Sequence, residues 1–202
     1  LNRRHGPVPD GGERFLLLHR RRLWNASERF WMGWERKRGK LHELNRLLRG
    51  AADTSFVRGG SVPPAGVRYV ITLDSDTRLP RGAVTRLVGT LAHPLNRPRL
   101  DPAGRRVVDG HAVLQPRVTP PLPRREGSRF QRLASGAAGV DPYASAVSDV
   151  YQDLWGEGSY TGKGIYDVEA FEAALAGRVP ENALLSHDLF EGIFARAGLV
   201  TD

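Results

Sequence analysis

The spacing of apolar positions along this chain switches between a strand-like and a helix-like period. Val70, Ile71 and Leu73 form the apolar run of Val67–Asp76, and its β-branched and aromatic residues predict a buried strand. Leu41, Leu44, Leu47 and Leu48 recur at i, i+3, i+6 and i+7, which predicts an amphipathic helix stopped by Gly50. Ala83, Val84, Leu87, Val88 and Leu91 line one face of another helix, entered through Pro80 and ended at His93-Pro94. Phe15–Leu18 reads as a short strand, and Ser27 as the N-cap of a helix. His111–Val118 reads as a further strand, broken by Pro120, Pro121 and Pro123. Helices are expected over Phe130–Ala134, part of Asp141–Trp155, Asp167–Ala176 and Leu189–Ala197, the last capped by Ser186 and stopped by Gly198. Gly156–Gly164 holds four glycines in nine positions, a tight turn or a place where backbone approaches a ligand. Strands alternating with helices predict an α/β fold with a mainly parallel sheet flanked by helices.

Two regions stand out from that pattern. Residues 1–13 are polar and rich in Pro and Gly, a loop or tail, and 14–202 make one domain with enough residues for a real core. The start lacks Met and the end stops in mid-element, so the chain is expected to be a piece of something longer. No apolar run approaches a membrane span, and the absence of cysteine removes disulfides and thiol chemistry.

Charge adds a local feature. Residues 1–50 hold 13 basic and 5 acidic residues, and this accounts for the whole net charge of +8. Basic excess of this kind suits phosphate-bearing substrates, anionic lipid or nucleic acid, and its sign does not choose among them.

Candidate chemistry starts at Asp74 and Asp76, where the Val67–Asp76 strand ends. Residues two apart in an extended segment share a side, so both carboxylates could hold a divalent cation such as Mg²⁺; two solvated aspartates are the alternative. In a parallel sheet, ligands bind at the carboxyl ends of the strands. Ser186-His187-Asp188 spells a hydrolase triad, but three consecutive side chains diverge. Asp188 instead reads either as an acid favoured in the first helical turn or as a general base at the mouth of the sheet. The turn Gly158–Gly164 departs from a phosphate-binding loop in spacing and in Gly164, leaving a glycine-lined wall with Glu157 and Lys163 inward. Lys40, at the start of the Leu41–Leu48 helix, could meet a diphosphate.

The longer text carries a resemblance. Lys37–Leu41 with Asn45, the strand into Asp74-Ser75-Asp76-Thr77, Val113–Arg117, Ser148–Leu154, Gly156–Asp167 and Leu185–Gly192 resemble processive, family-2-like glycosyltransferases of GT-A fold. The finer blocks, with Ala92–Pro98, are similar to the glucosyltransferase domain of the cyclic β-1,2-glucan synthases, from about Phe15 onward. The resemblance implies a GT-A-like fold, incomplete here, and inverting transfer from UDP-glucose to a glucan acceptor with Mg²⁺ or Mn²⁺. It implies Asp74 and Asp76 as metal ligands, Asp188 as catalytic base, and Lys40 and Asn45 near the nucleotide. It places Glu157, Tyr160 and Lys163 on the acceptor side, with His187 beside the base where the family has another residue. It implies a larger parent polypeptide with membrane helices, at the cytoplasmic face of a bacterial inner membrane, and no nucleic acid partner. Other readings stay open: a family-2-like transferase making another polysaccharide, or a basic membrane- or nucleic-acid-binding module.

Overall fold

The structure, a computed structural model, describes residues 1–57, 61–118, 128–130, 149–183 and 187–200. The chain divides into two compact units: Leu1–Arg68 with Ala176–His187, and Tyr69–Leu175 with Asp188–Asp202. The expected helix at Phe130–Ala134, the cap Ser186 and the residues 141–148 lie wholly or mostly outside the described residues.

In the first unit a single turn, α1 (Asn2–His5), precedes an antiparallel hairpin of β1 (Leu23–Asn25) and β2 (Phe30–Met32). The helix expected from Ser27 is therefore a hairpin turn. The Arg29 N–H donates to the Asn25 carbonyl at 2.8 Å, and Leu-Trp and Phe-Trp on either side favour a pleated surface over a helix. Phe15–Leu18 forms no strand; a bridge between Arg20 and Phe56 is the pairing found nearby. Helix α2 (Arg36–Leu48) appears where the leucine spacing placed it, and Gly50 follows at φ 87°. Its buried stripe is more polar than the spacing implies, because Glu43 and Asn45 join Leu41 inside. Burial of Glu43 is offset by partners: Arg20 Nε at 2.7 Å and the Ser55 N–H at 2.6 Å. Glu35, at the N-terminus of α2, pairs with Arg38 at 2.7 Å and accepts the Asn182 N–H at 2.6 Å. That fastens residues 176–183 to the helix.

The second unit contains β3 (Tyr69–Thr72), α3 (Ala83–Ala92), β4 (Arg99–Leu100), β5 (Val107–Asp109) and β6 (Val113–Pro116). It continues with α4 (Val150–Trp155), β7 (Gly164–Asp167), α5 (Val168–Leu175), α6 (Asp188–Ala195) and β8 (Ala197–Val200). The α/β class holds. The sheet is mixed, in the order β3-β7-β6-β8. β3, β6 and β8 run the same way, and β7 runs against them between β3 and β6. Strand-helix alternation alone does not foresee this, because β7 enters from the glycine turn rather than from a helical crossover. The sequence pattern also had Ala197 and Gly198 as a helix end. Arg196, at φ 50°, ends α6 instead, and Ala197–Val200 pairs in parallel with β6.

Alternation along β6 and β7 sorts the core into two layers. Val113 and Tyr166 pack with Phe171, Ala174 and Ala195 from α5 and α6. Leu114 and Ile165 pack with Leu87 and Leu91 from α3. Gly164 lies at the join, where an added Cβ would sit 2.2 Å from the Leu114 carbonyl oxygen, so only glycine lets these strands approach.

Candidate functional site

Because β7 is antiparallel to its neighbours, its first residue lies at the same sheet edge as the last residues of β3, β6 and β8. The glycine-rich turn and the Asp74–Asp76 segment therefore meet at one edge of the second unit.

β3 ends at Thr72, and the Thr77 N–H donates to the Asp74 carbonyl at 3.0 Å. Asp74–Thr77 is thus a turn, and the extended geometry expected for Asp74 and Asp76 does not apply. Asp74 is half-buried and its carboxylate meets Lys163 Nζ at 3.1 Å; Asp76 is exposed. Lys163 Nζ also donates to the Thr161 carbonyl at 3.2 Å.

Asp188 opens α6, within the first turn as the sequence suggested. Its carboxylate fills the space above Gly162. A Cβ on Gly162 would lie 2.5 Å from Asp188 Oδ1, and Gly162 stands at φ 75°. Glycine is demanded here twice, by backbone conformation and by the carboxylate. Gly192, one turn along the helix from Asp188, meets Tyr160 in the same close manner. The turn and the helix start are therefore packed backbone to side chain.

Tyr160 lies beneath the turn at 3% exposure, its hydroxyl 3.4 Å from Thr72 Oγ1. Burial pushes its phenol well above the usual tyrosine value, and the Glu191, Asp188 and Asp74 carboxylates push further the same way. Three acids, two from α6 and one from the turn after β3, thus act on one neutral phenol. Glu191 is itself buried on α6.

Several residues hold this edge in place without having been singled out from sequence. Gln115, on β6, accepts the Thr161 N–H at 2.9 Å and its hydroxyl at 3.1 Å. Thr72 donates to the Gly162 carbonyl at 3.1 Å. Asp149 caps α4 by accepting the Tyr151 N–H at 2.9 Å, and its second oxygen accepts the Ser159 N–H at 2.9 Å. Gln115 and Asp149 lie in blocks that carry the family resemblance, Asp149 also as an N-cap type before an apolar run, whereas Thr72 shows in the sequence only as a polar residue inside a strand.

Glu157 is drawn into an ion pair with Arg106 at 2.7 Å, on the flank of the turn. His187 is half-buried and directly precedes α6. Lys40 and Asn45 belong to the first unit, where Lys40 is exposed on α2 and Asn45 is fully buried in it. The structure thus brings together Asp74, Tyr160, Lys163 and Asp188, with Glu157 on the flank of the turn and Asp76 exposed.

No protein-family profile matches the chain. Over 194 residues, 96% of its length, it is 64% identical to the cyclic β-(1,2)-glucan synthase NdvB of Rhizobium meliloti (strain 1021). The chain is kin to one stretch of a cyclic β-(1,2)-glucan synthase. That stretch spans 7% of the synthase's own length. The resemblance found in the sequence blocks is therefore shown for nearly the whole chain. Among the described residues, no helix is long and apolar enough to cross a membrane.

Proposed function

We propose that this chain contributes the donor and base side of a glucosyltransferase site for glucan synthesis, with UDP-glucose as donor and a growing β-1,2-glucan as acceptor. The observation that carries the reading is the Asp188 carboxylate seated on Gly162, in the turn whose Lys163 pairs with Asp74. The kinship with a cyclic β-(1,2)-glucan synthase supplies the reaction class.

In this reading Asp188 takes the proton from an acceptor 2-hydroxyl. That oxygen forms a bond to the anomeric carbon as the bond to the diphosphate breaks on the opposite face, which inverts the centre. Hard carboxylate oxygens at Asp74, Asp188 and Glu191 near the Tyr160 phenol, with the Lys163 ammonium paired to Asp74, suit a divalent cation. Asp74 and Asp76 would hold Mg²⁺ or Mn²⁺, which when bound neutralises charge developing on the diphosphate. Lys163 holds Asp74 in place and shares that electrostatic task. Tyr160, kept neutral by burial, supports the turn from beneath. Lys40, exposed on α2, is assigned to the nucleotide, with Asn45 supporting that helix from inside, and Glu157 and His187 are assigned to the acceptor. The parent polypeptide would work at the cytoplasmic face of a bacterial inner membrane, and the 202 residues alone are expected to transfer no glucose.

The test is Mn²⁺-dependent UDP binding by the wild type and by Asp76→Asn. Weaker binding by the variant supports the reading; equal binding removes the metal role.

A further inference from the structure

The β1–β2 hairpin leaves a feature that the transfer reaction does not use. Trp24 and Trp31 are directly opposed across the two strands and share one face, with 54% and 61% of their surfaces exposed. The other face turns inward: Asn25 and Met32 are half-buried, and Asn25 Nδ2 donates to Asn182 Oδ1 at 2.6 Å. Leu23 and Phe30, on that second face, remain partly exposed, so it is the pair Trp24 and Trp31 that defines the apolar outer face.

Along residues 20–50 basic charge is in excess. Each acidic residue between positions 20 and 50 is consumed by an internal arginine: Glu28 by Arg36, Glu35 by Arg38 and Glu43 by Arg20. Arg21, Arg22 and Arg29 are exposed, and among the described residues their side chains make no hydrogen bond or ion pair. Arg22 and Arg29 flank the hairpin, one just before each strand.

We propose that this hairpin is a bilayer contact, with Trp24 and Trp31 seated in the interface of an anionic membrane and Arg21, Arg22 and Arg29 on its phosphates. Indole is an amphipathic ring favoured at the headgroup level, and arginine pairs with phosphate there. The alternative ligands fit less well. The two indoles are 5.9 Å apart and tilted by 65°, an edge-on pair with no common plane on which a pyranose ring or a nucleobase could stack. The proposal is independent of the transferase reading, since none of these residues belongs to that site.

The test is sedimentation of the 202-residue chain with vesicles of phosphatidylcholine alone or mixed with phosphatidylglycerol, alongside quenching of its tryptophans by brominated lipid. The chain is expected to bind the mixed vesicles, to be quenched, and to release with added salt. Arg22→Gln with Arg29→Gln is expected to lower partitioning by about tenfold or more, since each arginine near such a surface contributes about fivefold. Trp24→Ser with Trp31→Ser is expected to lose most binding and most quenching. Far-UV circular dichroism establishes that each variant is folded, and quenching of the wild type stands without any variant. Absence of wild-type binding, undiminished binding by folded variants, or a preference for soluble glucan or single-stranded DNA overturns the proposal.

Discussion

Gly162 shows how closely residue identity is set at the candidate site. Gly162→Ala places a methyl where the Asp188 carboxylate now lies and strains a backbone at φ 75°. The strain alone costs about 1–3 kcal/mol. A lowered urea midpoint is expected, and in the full-length polypeptide a loss of transfer larger than the stability change explains. Tyr160 makes a second prediction. Its phenol value is raised on folding, so folding is unaffected below the ordinary value, near 10, and loses stability as pH rises above it. Tyr160→Phe is expected to extend the alkaline limb of the unfolding curve, read by circular dichroism against phenolate absorbance. An unchanged limb would mean that the ring is not held neutral. At this scale the sequence singled out Asp74 as a metal ligand, Lys163 in a glycine-lined wall and Asp188 as a base or helix-start acid, and the structure places Lys163 against Asp74 and Asp188 against Gly162. It could not show that Asp74 turns toward Lys163 while Asp76 stays exposed, because that depends on a turn rather than on strand periodicity.

Elements differ in how visible they are. Helix α2 was legible because its leucines repeat at helical spacing, and β3 because its apolar run is dense. The fully buried β7 was hidden inside a glycine-rich stretch, with Ile165 and Tyr166 as its only strand-forming pair. Gly164→Ala tests that strand's placement. A Cβ 2.2 Å from a backbone carbonyl cannot be relieved by a rotamer, so the second unit is expected to lose its cooperative unfolding transition. Glu35 tests the fastening of residues 176–183 to α2. Burial raises its carboxyl, but the hydrogen bond from Arg38, the Asn182 N–H and the charges of Arg38 and Arg36 outweigh this and hold it below the usual value. Its contribution is therefore present above the unfolded value, near 4.5, and lost as pH falls through the lower folded value. Glu35→Gln is expected to be less stable near neutrality by about 1–3 kcal/mol, and to lack that acid-side loss. Denaturant melts across acidic pH measure both.

For the whole molecule, the α/β class followed from alternating periods, whereas sheet order did not, because pairing β7 between β3 and β6 is a long-range choice. The same choice makes the site: one reversed strand carries the glycine turn to the edge where the others end. The kinship with a cyclic β-(1,2)-glucan synthase covers 96% of this chain and 7% of that protein, so the reaction must be tested in the parent polypeptide. The central claim is that Asp188 removes the acceptor proton. The measurement is glucose transfer from labelled UDP-glucose by full-length wild type and Asp188→Asn, with UDP affinity measured on both. The account predicts a loss of transfer of about a hundredfold or more with UDP affinity unchanged. Retained transfer, or loss of transfer and UDP binding together, would contradict it.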